Sequence, residues 1–255
     1  MLIDTHTHLY LPQFDEDRAE MIQRAIERGV QHFYLPGIDQ HHIESMLALE
    51  RQFPDNCFAM MGLHPCSVKE NVEEELAQVQ KYLASRKFIA VGEIGLDYYW
   101  DKTFVPQQKM AFLQQMEWAK HYQLPISIHC RESMDDAIVL VGESKTDALQ
   151  GIFHCFGGSL EQANAIIELG FYLGIGGVLT YKKSGLDEVL KHVDLQHIVL
   201  ETDAPYLSPV PYRGKRNESA YLYEVAEKLA EVKGVSLEEV AEITSENARK
   251  VFKTD

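Results

Sequence analysis

Residues 88–130 read FIAVGEIGLDYYWDKTFVPQQKMAFLQQMEWAKHYQLPISIHC. The segment opens on a short apolar run, Phe88–Gly92, and closes on another, Pro125–Ile128, both poor in charge. Between them Thr103–Tyr122 has the length of a helix. Its Pro106 must lie in the first turn, where a missing N–H leaves no helical bond unmade. An apolar strand, a helix and a second apolar strand form the repeating unit of a parallel sheet covered on both faces.

The unit repeats in both directions. Toward the N-terminus β-type runs lie at Leu2–Thr5, His32–Pro36 and Cys57–Gly62; toward the C-terminus they lie at Gly151–Phe153, Phe171–Ile175 and His197–Leu200. Helical patterns fill Asp15–Arg28, Asn71–Ser85, Glu132–Glu143, Leu160–Leu169 and Ser184–His192. Two more, Ser219–Lys233 and Ser236–Phe252, follow the last strand. Gly29 and Gly170 stand where helices stop. Asn71 stands where one starts, and Ser-Leu-Glu-Glu at 236–239 reads as a capping box. Eight strands alternating with helices predict an α/β fold, a single (β/α)8 TIM-type barrel over residues 1–255 with an extra C-terminal helix. No linker or shift of composition marks a second domain. The rival, an open doubly wound sheet, lacks its G-x-G-x-x-G signal after the first strand.

Composition narrows the function classes. Of 255 residues, 45% are hydrophobic and 25% charged, the balance of a globular chain rather than a disordered, collagenous or coiled-coil one. Lys+Arg 24 against Asp+Glu 39 gives a net charge of −15. That excludes a non-specific nucleic-acid coat and a membrane-surface binder. Action on nucleic acid stays open if metal ions and a local basic patch offset the charge. The N-terminus has no signal-peptide pattern, and no apolar run reaches the roughly 18 residues of a membrane span. Four cysteines without a C-x-x-C pair read as reduced thiols. The expectation is a cytoplasmic protein with no membrane partner; oligomeric state stays open.

In a barrel of this type chemistry gathers at the C-terminal ends of the strands. Strand 1 ends in D-T-H-T-H with His6 and His8, strand 4 in V-G-E-I-G-L-D with Glu93, and strand 5 in S-I-H-C with His129. Strand 6 ends in F-H-C-F with His154, and strand 8 in L-E-T-D-A-P with Glu201 and Asp203. Residues two apart on a strand share a face, so His6 with His8, and Glu201 with Asp203, can reach one place. So many ionisable groups converging on one axis are costly without a partner. A divalent metal is the simplest one, and six N/O ligands suit two ions better than one. Strand 3 adds His64 in G-L-H-P. The remaining histidines sit at strand starts, in helices or in early loops, and read as structural. Cys130 and Cys155 follow ligand candidates by one residue, so alternation turns them away as buried packing thiols.

These motifs, with R-G-K-R-N at 213–217, run in order through almost the whole chain. Together they resemble the TatD family of metal-dependent hydrolases, within the amidohydrolase-like barrels. One departure is Ser219, where the family often carries Pro. The resemblance implies two divalent ions per subunit, Mg, Mn or Zn. It gives His6, His8 and Asp203 to one ion, His129 and His154 to the other, and Glu93 to both as a bridge. It implies hydrolysis by metal-activated water, with Asp203 as general base and Glu201 behind the ligands. The implied substrate is DNA ends or a small phosphodiester, attacked by a 3′ exonuclease-type deoxyribonuclease. Histidine-rich ligation suits Zn or Mn at least as well as Mg.

Arg213, Lys215 and Arg216 form the densest basic run in an acidic chain and follow strand 8, where barrels often bind phosphate. Arg213 and Lys215 are therefore candidate substrate contacts, and the resemblance adds His64. Asp4 shares the parity of His6 and His8, as a support for them or as an ordinary strand-start acid. Tyr98, Tyr99 and Trp100 either stack a base or cap the barrel core. The alternative function is an amidohydrolase or esterase on a small C–N or C–O substrate, which the charge of −15 mildly favours.

Overall fold

A computed structural model describes residues 1–254. Eight strands form one parallel sheet in chain order: β1 Leu2–Asp4, β2 Val30–Leu35, β3 Cys57–Met61, β4 Ala90–Asp97, β5 Ile126–Arg131, β6 Gly151–Phe153, β7 Tyr172–Ile175 and β8 Ile198–Leu200. The ends of the sheet meet where Thr5 N donates to Leu200 O at 3.0 Å. Helices α1 Arg18–Glu27, α2 Ile43–Gln52, α3 Val72–Ser85, α4 Val105–Tyr122, α5 Met134–Ser144, α6 Leu160–Glu168 and α7 Leu186–Leu190 follow successive strands. After β8 come α8 Leu222–Lys233 and α9 Leu237–Phe252. This is the TIM-type barrel that the alternation predicts.

Two layers of apolar side chains hold it. The larger lies between sheet and helices, and includes the fully buried Phe33, Phe112 and Phe153. The smaller gathers Ile3, Tyr34, Met60, Ala90, Ile152 and Val199, one residue from each of six strands, onto Ala248, Val251 and Phe252 of α9. The Phe252 ring meets Tyr34 edge-on at 4.7 Å. The extra C-terminal helix therefore plugs the floor of the barrel and leaves its mouth for polar groups.

Several boundaries differ from the expectation. Helix α2 is absent from the sequence reading, although Ile43, Met46, Leu47 and Leu49 bury one face of it. Strand β4 runs to Asp97 instead of ending at Gly92. Its register against β5 shifts between Val91 and Ile94, so an irregularity sits beside Glu93. Such bulges re-aim side chains near functional sites. Gly95, at φ 141° and with no room for a Cβ against the His129 carbonyl, is the residue that lets the two strands close up. Asn71 makes no capping bond and donates to Glu75 instead. The reciprocal capping box is at Ser159 and Gln162, while Ser236 only accepts from Glu239 N. All four cysteines are unpaired, but only Cys57 is fully buried. Cys130, still paired with Leu96 within β5, and Cys155, past the end of β6 at φ 49°, both line a cavity of about 480 Å³ next to the barrel mouth. Among the described residues no helix is long and apolar enough to cross a membrane.

Candidate metal centre

The chain past β1 stays pinned on both sides: Asp203 N donates to His6 O, His8 N to Ala204 O and Thr7 N to Tyr34 O. This extended segment carries His6 and His8 inward. From β4 comes Glu93, 2% exposed. Its two oxygens face different histidines. Oε2 lies 3.1 Å from His6 Nε2 and 3.5 Å from His8 Nε2. Oε1 lies 2.8 Å from His129 Nδ1, 3.0 Å from His154 Nε2 and 3.2 Å from His64 Nε2. Asp203 Oδ1 joins the first set, 3.5 Å from His8 and 4.0 Å from His6. Asp203 holds φ 55°, a left-handed backbone that Asp tolerates better than most residues.

The outer ring nitrogens decide which inner ones carry lone pairs. Tyr10 Oη donates its one proton to Pro36 O, so it accepts from His8 Nδ1 at 3.0 Å and leaves His8 Nε2 free as a ligand. Glu201 Oε1 accepts from His154 Nδ1 at 3.2 Å, and Asp97 Oδ2 from His129 Nε2 at 2.9 Å. Both leave a lone pair facing Glu93. Carboxylate behind histidine is the usual arrangement behind a metal. His6 Nδ1 meets Ser127 Oγ at 2.9 Å. His64 is the exception. Its Nδ1 accepts from Cys66 N at 3.0 Å, so the neutral ring carries its proton on Nε2. Although His64, Glu93 and His129 converge by distance, His64 is built as a donor, not a ligand.

Charge is arranged to match. Burial alone would raise Glu93, yet His64, His154, His6 and His129 hold it well below the usual carboxylate range. Asp203 is likewise held down against burial by its bond from His8 and by His154. Against the lowering effect of burial, Asp203 and Glu93 bring His8 up to about 9, and Glu93 and Glu201 raise His154 well above its ordinary value. His6, stacked on His154 at 3.8 Å, is lowered by burial and by that neighbour. Ionised carboxylates thus demand positive charge at the centre. Two donor groups, His6–His8–Asp203 and His6–Glu93–His154, bring their ligand atoms within 4.8 Å of one another. Imidazoles that give up the inner proton in exchange for a cation, together with ionised carboxylates, are the donors a divalent transition ion takes, so these residues fit a metal.

Glu201 is buried behind His154. Asp4 accepts from Thr202 N, Thr202 Oγ1 and Ser219 Oγ, so it secures the β8 exit instead of a ligand, and burial pushes it up to about 7. Arg213 and Lys215 are exposed and do not line the metal cavity of about 620 Å³. The Arg213 guanidinium lies over the Tyr181 ring at 3.9 Å and donates to its hydroxyl. Arg216 is not a free cation: it forms a two-pronged pair with Asp17 at 2.7 and 2.8 Å. Tyr98 is half-buried, but Tyr99 and Trp100 are exposed, which rejects the core-capping reading for those two. Sequence reasoning assigned no role to Asp97, Ser127, Tyr10 or Arg131. Alternation along β4 and β5 could have found three of them, since Asp97 shares parity with Glu93, and Ser127 and Arg131 share it with His129.

The chain is similar to known proteins over almost its whole length. A family model described as TatD related DNase matches residues 3–253. An uncharacterized metal-dependent hydrolase of Bacillus subtilis, YabD, is 40% identical over 254 residues, covering 99% of each chain. The 3'-5' ssDNA/RNA exonuclease TatD of Salmonella typhimurium is 33% identical, covering 98% of each. The crystal structure of YjjV, a TatD homolog from Escherichia coli, matches with a TM-score of 0.94 at 31% identity, covering 100% of this chain and 98% of its own.

Proposed function

Because this chain belongs to the TatD family of metal-dependent hydrolases, we propose that it is a deoxyribonuclease that removes nucleotides from the 3′ end of DNA. One observation carries the reading. Glu93 turns one oxygen to His6 and His8 and the other to His129 and His154. A carboxylate so placed can bridge two ions, and paired ions suit in-line attack on a phosphodiester. The similarity to a relative named as an exonuclease supports the same class of substrate.

His6, His8 and Asp203 would hold one divalent ion, His129 and His154 the other, with Glu93 between them. Such ions, when bound, supply Lewis acidity and bring the pKa of water toward neutrality. The protein's own residues do the rest. Asp203 Oδ1 is committed to the side of His6 and His8, so Oδ2 takes the proton of the attacking water. Being held ionised, the carboxylate is ready for that transfer. His64 Nε2–H, which faces Glu93 Oε1 at 3.2 Å in the structure, would turn to a phosphoryl oxygen as negative charge grows on it. Glu201, Asp97 and Tyr10 keep each imidazole in the tautomer its position requires.

The test is cleavage of a 5′-labelled single-stranded oligonucleotide with Mg, Mn or Zn in turn. The reading expects a ladder shortening from the 3′ end that disappears in Asp203→Asn. Turnover of small esters or amides with no oligonucleotide cleavage would replace it by the amidohydrolase or esterase alternative, toward which the charge of −15 leans.

A further inference from the structure

The metal cavity has a wall that the hydrolytic machinery does not use. Trp100 and Arg131 line it together with the ligands. Trp100 is 69% exposed, so most of a large apolar ring stands in water. The backbone that carries it is nevertheless fixed: Trp100 N and Tyr99 N donate to Oδ1 of the buried Asp97 at 3.0 and 2.9 Å. Tyr99 meets Trp100 edge-on at 4.9 Å. The Arg131 guanidinium lies 3.9 Å from the Tyr99 ring centre and 5.3 Å from that of Trp100. Stacking of this kind orients a planar cation without neutralising it.

Arg131 is also electrically available. The acids around it are engaged elsewhere: Glu132 faces Lys102 at 3.9 Å, Asp136 faces Lys109 at 2.6 Å, Asp135 accepts from Gln162 at 2.7 Å, and Asp97, opposite Arg131 on β4, accepts from His129, Tyr99 N and Trp100 N. Among the described residues no carboxylate pairs with Arg131. In a protein of net charge −15, an oriented and unpaired cation beside a site for phosphate chemistry is a recognition element. Arg131 lines the second cavity of about 480 Å³ as well, so it stands where the two cavities meet.

We infer that Trp100 and Arg131 form a nucleotide subsite of the metal cavity, the indole stacking the base next to the scissile phosphate and the guanidinium holding the adjacent phosphate. The inference rests on the nuclease reading and adds to it the residues that select a nucleotide over a small ester. A base stacks on an indole whatever its sequence, and a guanidinium fork fits phosphate two-pronged. Both residues are therefore specificity-determining and take no part in bond breaking.

Two measurements test it. The first is intrinsic fluorescence of the full chain with magnesium, titrated with dGMP and with deoxyribose 5-phosphate. The nucleotide quenches and the sugar phosphate does not; the quench is lost in Trp100→Phe, which keeps Trp118. The second is KM on an oligonucleotide, on the same oligonucleotide with an abasic 3′ residue, and on bis(p-nitrophenyl) phosphate. Trp100→Ala raises the first by about 5- to 150-fold, the second less, and the third within twofold. Arg131→Ala raises both oligonucleotide values and leaves the third within twofold, with Arg131→Lys in between. Equal shifts on all three substrates, no shifts, or no base-dependent quench overturn the subsite while wild-type cleavage of DNA keeps the nuclease reading. Absence of any wild-type cleavage of DNA overturns both.

Discussion

Asp97 Oδ2 accepts the Nε2 proton of His129 across 2.9 Å, a diagonal contact between neighbouring strands β4 and β5, where Asp97 itself pairs with Arg131 and His129 with Gly95. Burial would raise the Asp97 carboxyl, but His129 and the N–H groups of Trp100 and Tyr99 hold it below the usual carboxylate range. One side chain thus sets the tautomer of a ligand and the backbone of the aromatic rim. Asp97→Asn offers one oxygen to donors that now use two. If that oxygen stays with Tyr99 and Trp100, the amide N–H₂ faces His129 and moves its proton to Nδ1, the atom facing Glu93. The expected result is a loss of about 10- to 100-fold in metal affinity, read by titration with zinc. Unchanged affinity would contradict the tautomer argument.

Asp203→Asn is expected to leave the melting temperature within a few degrees and to lower turnover by about 10²–10⁴. Asn adopts the left-handed backbone at this position as readily as Asp does, so the loop keeps its shape. The amide can offer one oxygen to a metal but takes no proton at neutral pH. Activity within about tenfold of wild type at saturating metal would move the base elsewhere.

The fold was legible because each strand is a short apolar run, and because the ligands stand at equivalent ends of those runs. What escaped has particular causes. Helix α2 starts with Ile43 and has no side-chain cap, so no start signal marks it. Strand β4 continues past Glu93 through Ile94, Gly95 and Leu96, where glycine and the loop-like Asp97 read as an ending. Tyr10 lies beyond β1, in a stretch without regular periodicity, so nothing local ties it to His8. Arg216 reads as part of one basic run with Arg213 and Lys215, but its partner Asp17 is 199 residues away. Long-range pairing of that kind has no local signature.

Arg213 and Lys215 remain exposed cations at the barrel rim, outside the metal cavity. If longer DNA reaches them, changing both to Ala lowers affinity for a long oligonucleotide and leaves a dinucleotide unaffected. The slope of log affinity against log salt should flatten by about 0.7 for each phosphate that is no longer neutralised. An unaltered slope would take both residues out of substrate binding.

Asp17 predicts the behaviour of the fold in acid. Bonds from Arg216 and Arg24 hold its carboxyl below the usual range. A folded pKa below the unfolded value of about 3.9 means that the folded state binds fewer protons. The contribution is therefore complete above about pH 5 and is lost as pH falls through the unfolded and then the folded pKa. The groups are partly exposed, so it should amount to no more than about 1 kcal/mol. Asp17→Asn should lower the urea midpoint at pH 7, and the gap to wild type should narrow as pH falls below about 4. A constant gap between the two proteins at all pH values would contradict this assignment.

Metal content per chain after mild dialysis, in wild type, His6→Ala and Glu93→Ala, tests the organising role of Glu93 most directly. Elemental analysis should find two ions in wild type. His6→Ala should keep part of the His129–His154 complement, and Glu93→Ala, which removes the oxygens facing both histidine sets, should lose the most. Equal losses in the two variants, or a single ion in wild type, would contradict a carboxylate shared between two metal positions.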